Sequence, residues 1–253
     1  MEDDSTELIL GYAVSTLTIA RSVRRIERWL ADEAEPRTLY CANPHSLVLA
    51  EDDPDFQQAL HGADLLTPDG SGIVLASKIL GGRIRERVTG SDIYRGLSEA
   101  LNAAGGRSYY FLGSTETTLV MIRQKMAQDY PAIRFAGSYS PPFKPEFSED
   151  ENKGMIEAIN AAAPDVLWVG MTAPKQEKWI YRNRDRLDVG FIGAIGAVFD
   201  FYAGNIKRSP LLFQKCGLEW LPRLLQEPRR LFRRNFVSSP LFLWRLMGQL
   251  LKK

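Results

Sequence analysis

The fold class of this chain is most readily predicted from one stretch, Leu65-Leu66-Thr67-Pro68-Asp69-Gly70-Ser71-Gly72-Ile73-Val74-Leu75-Ala76-Ser77-Lys78-Ile79-Leu80. Residues 65–67 form an apolar run typical of a buried strand, and a polar turn over 68–71 separates it from an apolar helix predicted over 72–80. A strand, a tight turn and a helix in immediate succession form the repeating unit of α/β proteins. The stretch therefore predicts an α/β fold, provided that the unit recurs.

Units of the same kind occur on both sides of this stretch. Strands are predicted over Leu8–Val14, Thr38–Ala42, Ser108–Leu112, Ile133–Ala136, Val166–Val169 and Val189–Gly193. Helices are predicted over Thr18–Ala31, Ser46–Ala50, Asp55–Leu60, Asp92–Ala104, Glu116–Tyr130, Glu149–Ala163 and Lys175–Arg184. Because the strands are apolar throughout, they match a parallel sheet covered by helices on both faces. We predict a doubly wound, mainly parallel sheet.

The net charge of the chain conceals an uneven distribution. The 32 basic and 31 acidic residues nearly cancel, yet residues 205–253 carry 11 of the basic and only 2 of the acidic ones. Prolines at 210, 222, 228 and 240 divide this basic segment into short helical pieces. We predict a core over 1–204 and a basic helical appendage over 205–253, whose last piece, Leu241–Leu251, either packs on the core or lies in a membrane interface.

The composition of the appendage indicates its partner. Its basic residues are interleaved with aromatic ones such as Phe232, Phe236 and Trp244, a combination that binds anionic headgroups. Nucleic acid is the rival partner for a basic patch, but the Leu-Phe-Leu-Trp run of the last piece favours lipid. We expect contact with an anionic membrane surface and no binding of nucleic acid.

Several classes of protein are excluded by composition. A chain with 45% hydrophobic and 25% charged residues is globular rather than disordered. The acidic N-terminus lacks the pattern of a signal peptide, and the apolar stretch Leu8–Ala20 is too short and polar to span a bilayer. Cys41 and Cys216 are far apart, which favours reduced thiols. We expect a cytoplasmic protein that is peripheral to the membrane.

No zinc or divalent-metal pattern is convincing. The two histidines and two cysteines lack the spacing of a zinc cluster. Asp53-Pro54-Asp55 has the Asp-x-Asp form that many nucleotide-sugar enzymes use to hold a divalent ion. Asp53 is also well placed to cap a helix that has Pro54 at its first position. We favour the cap and predict neither a metal nor another cofactor.

Polar residues follow several predicted strands. Asp69 lies in the turn after one strand, where open α/β sheets bind ligands, and Arg87 and Gln176 lie in or beside helix starts that could reach the same edge. Asp200 stands among aromatic residues in a predicted loop and could bind a base or a ribose hydroxyl, or could cap a turn. The glycines at 70 and 72 begin a dinucleotide-binding pattern, but position 75 is leucine, which disfavours a nucleotide-linked oxidoreductase.

Five motifs, in this order along the chain, resemble those of the WecG/TagA/CpsF glycosyltransferase family. They are Thr67-Pro68-Asp69-Gly70-Ser71-Gly72, Arg85-Glu86-Arg87-Val88-Thr89-Gly90-Ser91-Asp92, Ala173-Pro174-Lys175-Gln176-Glu177-Lys178-Trp179, Phe199-Asp200 with Ala203-Gly204-Asn205-Ile206-Lys207-Arg208-Ser209-Pro210, and Gly217-Leu218-Glu219-Trp220-Leu221-Pro222-Arg223. The resemblance implies a Rossmann-like core with a membrane-docking appendage. It implies metal-independent transfer of a hexose, with inversion, from a UDP-sugar to a sugar on a polyprenyl diphosphate, at the inner face of the bacterial plasma membrane.

The resemblance also implies roles for individual residues. Asp69 would be the general base, and Arg87 would contact the sugar diphosphate. The other implied substrate-binding residues are Asn43, Gln176, Asp200, Arg223, Arg230 and Arg233, of which the last three would reach the diphosphates. A homo-oligomer is compatible with the sequence. A non-catalytic membrane partner of other glycosyltransferases is the remaining alternative, and the retention of all five motifs disfavours it.

One position departs from the family pattern. Members often carry Thr-x-Asn after the second strand, whereas this chain has Cys41-Ala42-Asn43, so a thiol replaces a hydroxyl. His45 or Ser46 could supply the missing contact. The variant resembles members that make exopolysaccharide, and the donor is left open between UDP-glucose and UDP-N-acetylmannosamine.

Overall fold

A computed structural model of the chain describes residues 6–32, 35–206 and 237–251. Its strands are β1 (Thr6–Ile9), β2 (Tyr12–Ser15), β3 (Arg37–Ala42), β4 (Leu65–Pro68), β5 (Ser108–Gly113), β6 (Arg134–Tyr139), β7 (Val166–Gly170) and β8 (Phe191–Ala194). Its α-helices are α1 (Ile19–Asp32), α2 (Pro44–Glu51), α3 (Pro54–His61), α4 (Ser71–Ile79), α5 (Gly90–Ala104), α6 (Glu116–Asp129), α7 (Glu149–Ala162), α8 (Lys175–Asn183), α9 (Val198–Ala203) and α10 (Ser239–Leu251).

Six strands form one parallel sheet in the order β4-β3-β8-β7-β5-β6. The Rossmann-like α/β prediction is therefore confirmed. Because all six strands run in one direction, their carboxyl ends lie along one edge of the sheet. The loops at that edge carry the residues that the sequence singles out.

Helices cover both faces of the sheet. Leu167 and Ile192 belong to a buried cluster with α2, α3, α4, α7, α8 and α10, whereas Trp168 and Phe191 belong to a cluster with α1, α5, α6 and α9. Successive strand residues thus enter opposite cores, as the pleat of a strand requires. This burial on both faces explains why the central strands β7 and β8 are apolar throughout rather than at alternate positions.

The predicted strand over Leu8–Val14 is wrong. The chain reverses at Leu10 (φ +50°) and Gly11 (φ +87°), so that β1 and β2 form an antiparallel hairpin outside the main sheet. A two-residue turn of this kind needs positive φ at both central residues, which glycine adopts readily and leucine does not. The leucine at the first central position concealed the turn.

Ion pairs occupy the amino-terminal edge of the sheet. Asp165 accepts hydrogen bonds from the Ser108 backbone N–H at 2.8 Å and from Arg107 Nη1 at 2.7 Å. Asp64 accepts from the Thr38 N–H at 2.9 Å and from Arg37 Nη1 at 2.8 Å. Both carboxylates therefore hold the first residues of neighbouring strands in place. The open polar loops lie at the opposite edge of the sheet.

Helix α10 packs on the core, which was one of the two predicted placements for its sequence. Phe242 and Leu246 lie one turn apart and are buried against α2 and α4. Gln249 joins the helix to the hairpin, accepting the Leu10 N–H at 2.8 Å and donating to the Leu8 carbonyl at 2.9 Å. Within residues 6–32, 35–206 and 237–251, no helix has both the length and the hydropathy needed to cross a bilayer.

Candidate active site

The carboxyl ends of β3 and β4 bring Asn43 and Asp69 to neighbouring positions. Ala42 pairs with Pro68 in the ladder, and the Asp69 N–H donates to the Ala42 carbonyl at 2.7 Å. Asn43 caps α2, since its Oδ1 accepts the Ser46 N–H at 3.0 Å. Its Nδ2 makes no hydrogen bond to any residue that the structure describes. The cap therefore leaves the amide N–H groups of Asn43 for a ligand at the edge where Asp69 lies.

The turn that carries Asp69 depends on two glycines. Gly70 has φ +102°, a conformation that L-residues rarely adopt. A Cβ on Gly72 would lie 2.5 Å from Cγ of Pro44, the first residue of α2. Glycine at 72 thus allows α4 to begin directly against α2, which fixes Asp69 beside Asn43.

The loop before α5 carries Arg87 to the same edge. The Val88 N–H donates to the Pro68 carbonyl at 2.8 Å, which attaches the loop to the end of β4. Thr89 and Asp92 form a capping box at the start of α5, with both reciprocal bonds at 3.2 Å. The backbone that follows Arg87 is therefore held on both its strand and helix sides, and Arg87 itself is half-buried.

Gln176 lies between the ends of β7 and β8. It is only 4% exposed, and its Oε1 accepts the Met171 N–H at 3.3 Å. A Cβ on Gly196 would lie 3.5 Å from both terminal atoms of the amide, so the loop after β8 passes directly over it. The amide is thus enclosed by the two loops that end these strands.

The loop between β7 and Gln176 has an unusual backbone. Thr172 has φ +68°, and its carbonyl accepts the Gln176 N–H at 3.3 Å. A β-branched residue in the left-handed region is a strained conformation. Such strain is concentrated at functional sites, which supports a functional interpretation of this edge.

Asp200 lies in helix α9 rather than in the loop that the sequence suggested. Its Oδ1 accepts from Asn205 Nδ2 at 3.4 Å, and the same Nδ2 donates to Thr118 of α6 at 2.9 Å. Helix α9 packs on α6, the helix that follows β5. Asp200 is therefore positioned toward β5, whereas Asp69 lies at the β4 end of the same edge.

Comparison with known proteins identifies the family. The model of the family described as "Glycosyl transferase WecG/TagA/CpsF family" matches residues 7–253. The chain belongs to the WecG/TagA/CpsF family of glycosyltransferases. The family expected from the five motifs is thus confirmed over almost the entire sequence.

Two curated proteins illustrate the similarity to other WecG/TagA/CpsF members. The N-acetylglucosaminyldiphosphoundecaprenol N-acetyl-beta-D-mannosaminyltransferase of Bacillus spizizenii is 29% identical over 218 residues, which cover 86% of this chain and 81% of that protein. The protein of the same description from Staphylococcus aureus strain MW2 is 26% identical over 241 residues, which cover 94% and 91% of the two chains.

The family position occupied here by Cys41 is packed beneath the Arg87 loop. Its Sγ accepts from Thr67 Oγ1 at 3.5 Å and from the Gly90 N–H. Burial, with the nearby charge of Asp69, raises the pKa of this thiol well above its ordinary value. Cys41 is therefore a neutral packing group.

Ser46 and His45, the two possible replacements for the family threonine, both make other hydrogen bonds. Ser46 is buried, and its Oγ accepts the Asn43 N–H at 2.9 Å as part of the cap of α2. His45 Nδ1 lies 2.8 Å from Ser238 Oγ, in the segment that leads into α10.

Asp53 and Asp55 serve structural roles in this family member. Asp53 caps α3, accepting the Phe56 N–H at 3.1 Å, and pairs with Lys178 at 2.9 Å. Burial opposes ionisation of Asp53, but these hydrogen bonds outweigh it and lower its pKa. Asp55 pairs with Arg182. Among the described residues, no cluster of three or more His, Cys, Asp or Glu side chains could hold a metal ion.

Three predicted site residues, Arg223, Arg230 and Arg233, lie outside the described residues, as does Cys216. Glu177, which lies next to Gln176, is a described residue of interest for which the sequence pattern predicts no role. Helical spacing gives no signal for it. Gln176, Ile180 and Asn183 follow one buried face of α8, and Glu177 lies on the side of that face.

Proposed function

We propose that this protein is an inverting glycosyltransferase that moves a hexose or N-acetylhexosamine from a UDP-sugar to a sugar carried on a polyprenyl diphosphate, without a metal ion. The observation that carries the proposal is the position of Asp69, a carboxylate at the carboxyl end of β4 beside Asn43 and the Arg87 loop. The family membership and the descriptions of both relatives support this chemistry.

Asp69 is proposed as the general base. Its carboxylate takes the proton from the acceptor hydroxyl as that oxygen bonds to the anomeric carbon, while the bond from that carbon to the UDP oxygen breaks with its electron pair. One carboxylate suffices, because attack opposite to the leaving group inverts the anomeric centre in a single displacement. An ordinary Asp is a weak base, but the hydroxyl proton becomes acidic as the new bond forms.

The departing UDP needs positive charge and hydrogen-bond donors. Arg87 is the proposed contact within the described residues, because its loop is attached to the strand that carries Asp69. Arg223, Arg230 and Arg233 of the basic segment are proposed to add charge around the diphosphates. Fixed donors aimed at developing charge supply much of the catalysis in such sites.

The layout of the edge suggests an orientation for the donor. Asp69 and the β5 side, toward which Asp200 lies, are separated by four strand spacings, about 19 Å in total. An extended nucleotide sugar spans a distance of that order. We place its uridine near Asp200, its diphosphate near Gln176 and its sugar near Asp69.

An apolar surface next to this edge is proposed to contact the membrane. We call it the docking face, and it consists of Leu8, Leu75, Ile79, Trp244, Met247 and Leu251, all exposed in the structure. Trp244 is 73% exposed although its neighbour Phe242 is buried. These residues lie on β1, α4 and α10, which contact one another. A lipid-linked acceptor and a basic appendage favour an anionic bilayer as the occupant, at the cytoplasmic side of the bacterial plasma membrane.

The direct test is sugar transfer by the full chain. UDP-N-acetylmannosamine and UDP-glucose are each supplied with a polyprenyl diphosphate-linked N-acetylglucosamine, and the product linkage is determined by NMR. Transfer from either donor with inversion supports the proposal. Failure with both donors and with a lipid-linked disaccharide acceptor would contradict it and favour a non-catalytic partner, whereas NAD(P)H binding would favour an oxidoreductase.

A further inference from the structure

Gln176 and Glu177 form a buried pair in the first turn of α8. Gln176 Nε2 donates to Glu177 Oε1 at 2.9 Å, and both residues are less than 5% exposed. Gln176 Oε1 accepts the Met171 N–H. The two bonds point the amide in one direction only, because a flipped amide would face a donor with its nitrogen and an acceptor with its oxygen.

The burial of Glu177 lowers the stability of the folded chain. It is 3% exposed, and its Oε2 has no hydrogen-bond partner among the residues described. A buried carboxyl oxygen without a partner loses its hydration and gains nothing in return. A leucine of similar volume would fill the same space without this cost. Retaining a glutamate here therefore calls for a role other than stability.

The position of the pair indicates what that role is. Gln176 lies beneath Gly196, at the carboxyl ends of β7 and β8, and one of its two Nε2–H groups is taken by Glu177. The second N–H has no bond to the described residues. Because Glu177 fixes which end of the amide carries hydrogen, it also determines that the end beside Glu177 has a second N–H to donate.

We propose that Glu177 is a positioning residue for Gln176, which it orients so that the second Nε2–H meets an oxygen of the nucleotide-sugar donor. This inference rests on the proposed function, because the donor enters the site only if the protein is a glycosyltransferase of the proposed kind. Glu177 does not touch the donor and acts through Gln176.

A pair of variants tests the inference. Glu177→Leu removes the acceptor for Gln176 Nε2, whereas Glu177→Gln keeps a carbonyl oxygen that can accept the same bond. Binding of UDP is measured by calorimetry, KM and kcat are measured with UDP-N-acetylmannosamine and UDP-glucose, and thermal unfolding is followed in parallel. We expect Glu177→Leu to raise the donor KM by about tenfold, the equivalent of one hydrogen bond, with a smaller change in kcat.

Stability separates positioning from a structural role. We expect Glu177→Leu to unfold at the same temperature as the wild type or higher, and Glu177→Gln to restore the donor KM to within about threefold of the wild type. An unchanged KM in Glu177→Leu would overturn the inference, as would a KM increase that both variants share together with a lower unfolding temperature. A wild-type protein that neither binds UDP nor transfers sugar would instead refute the proposed function, and the inference with it.

Discussion

His45 in α2 lies 2.8 Å, Nδ1 to Oγ, from Ser238 at the entry to α10. His45 is only two residues after Asn43, which follows β3 at the edge that carries Asp69. The helix that carries much of the docking face is therefore bonded to the helix that borders the site. A membrane contact made through α10 would therefore act on the start of α2 through this hydrogen bond.

The first prediction concerns this bond. Ser238→Ala should increase hydrogen exchange in residues 239–251 by an amount equivalent to about 1 kcal/mol, because one hydrogen bond is lost. In a His45→Ala background the same change should have no further effect. Gln249→Ala, which breaks contacts with the hairpin instead, is the control and should add to His45→Ala. Full additivity of Ser238→Ala and His45→Ala would show that the two residues are not coupled.

Asp69 is predicted to be essential for transfer but not for donor binding. Asp69→Asn preserves shape and removes the base, so transfer should fall by about 100- to 10,000-fold while the Kd of UDP stays within a few-fold of the wild type. Asp55→Asn is the matched control, since Asp55 pairs with Arg182 on the surface and should be dispensable. Turnover of Asp69→Asn at the wild-type rate would remove Asp69 from the mechanism.

Asp53 and Asp55 are predicted to contribute to stability rather than to catalysis. Asp53→Ala removes a helix cap and an ion pair, and should lower the free energy of unfolding by about 1 kcal/mol, measured by denaturant titration. Its transfer activity, and that of the wild type, should persist in excess chelator. The opposite result would be transfer that strictly requires manganese or magnesium, together with loss of metal binding in Asp53→Asn. It would show that the Asp-x-Asp motif binds metal.

The raised pKa of Glu177 predicts how the free energy of unfolding depends on pH. Burial raises its pKa from 4.5 to about 7, so the folded chain holds a proton that the unfolded chain releases. Below about pH 4.5 Glu177 is protonated in both the folded and the unfolded chain, so it does not change the free energy of unfolding with pH. Between about pH 4.5 and 7 the free energy of unfolding falls as pH rises. Above pH 7 the loss is constant. The stability of Glu177→Leu relative to the wild type should therefore increase over that window and then level off.

Thermal unfolding of both proteins across that window measures the effect. The ionisable neighbours Tyr40 and Cys41 lie in β3, and burial raises the pKa of both far above neutrality, so they stay neutral throughout. A difference between the two proteins that does not change with pH would show that Glu177 ionises normally in the folded chain.

The docking face is predicted to bind anionic vesicles. Changing Trp244 and Met247 together to serine should weaken co-sedimentation with phosphatidylglycerol vesicles, because both side chains are exposed on α10 and make no contribution to the buried core. Val120→Ser is the control, since Val120 is equally apolar and exposed but lies on α6. Equal loss of binding in both variants, or no loss in the first, would contradict a membrane role for this face.

The sequence by itself determined the fold class and most element positions. Its information was local: apolar strands, turn residues and caps such as Asp53 set the strand–helix alternation without reference to distant residues. The five motifs also identified the family. The hairpin turn at Leu10 was missed, because its leucine carries no turn signal and its geometry is imposed by packing.

Only the tertiary structure decided how the site is assembled. Asp69, Arg87 and Gln176 are separated by long stretches of chain and reach one edge of the sheet only through the strand order β4-β3-β8-β7, which cannot be read from local patterns. The burial of Glu177 likewise depends on how α8 lies against the sheet. A surface glutamate and a buried one have the same letter in the sequence, and only the surroundings that folding creates distinguish a solvated charge from a group that orients its neighbour.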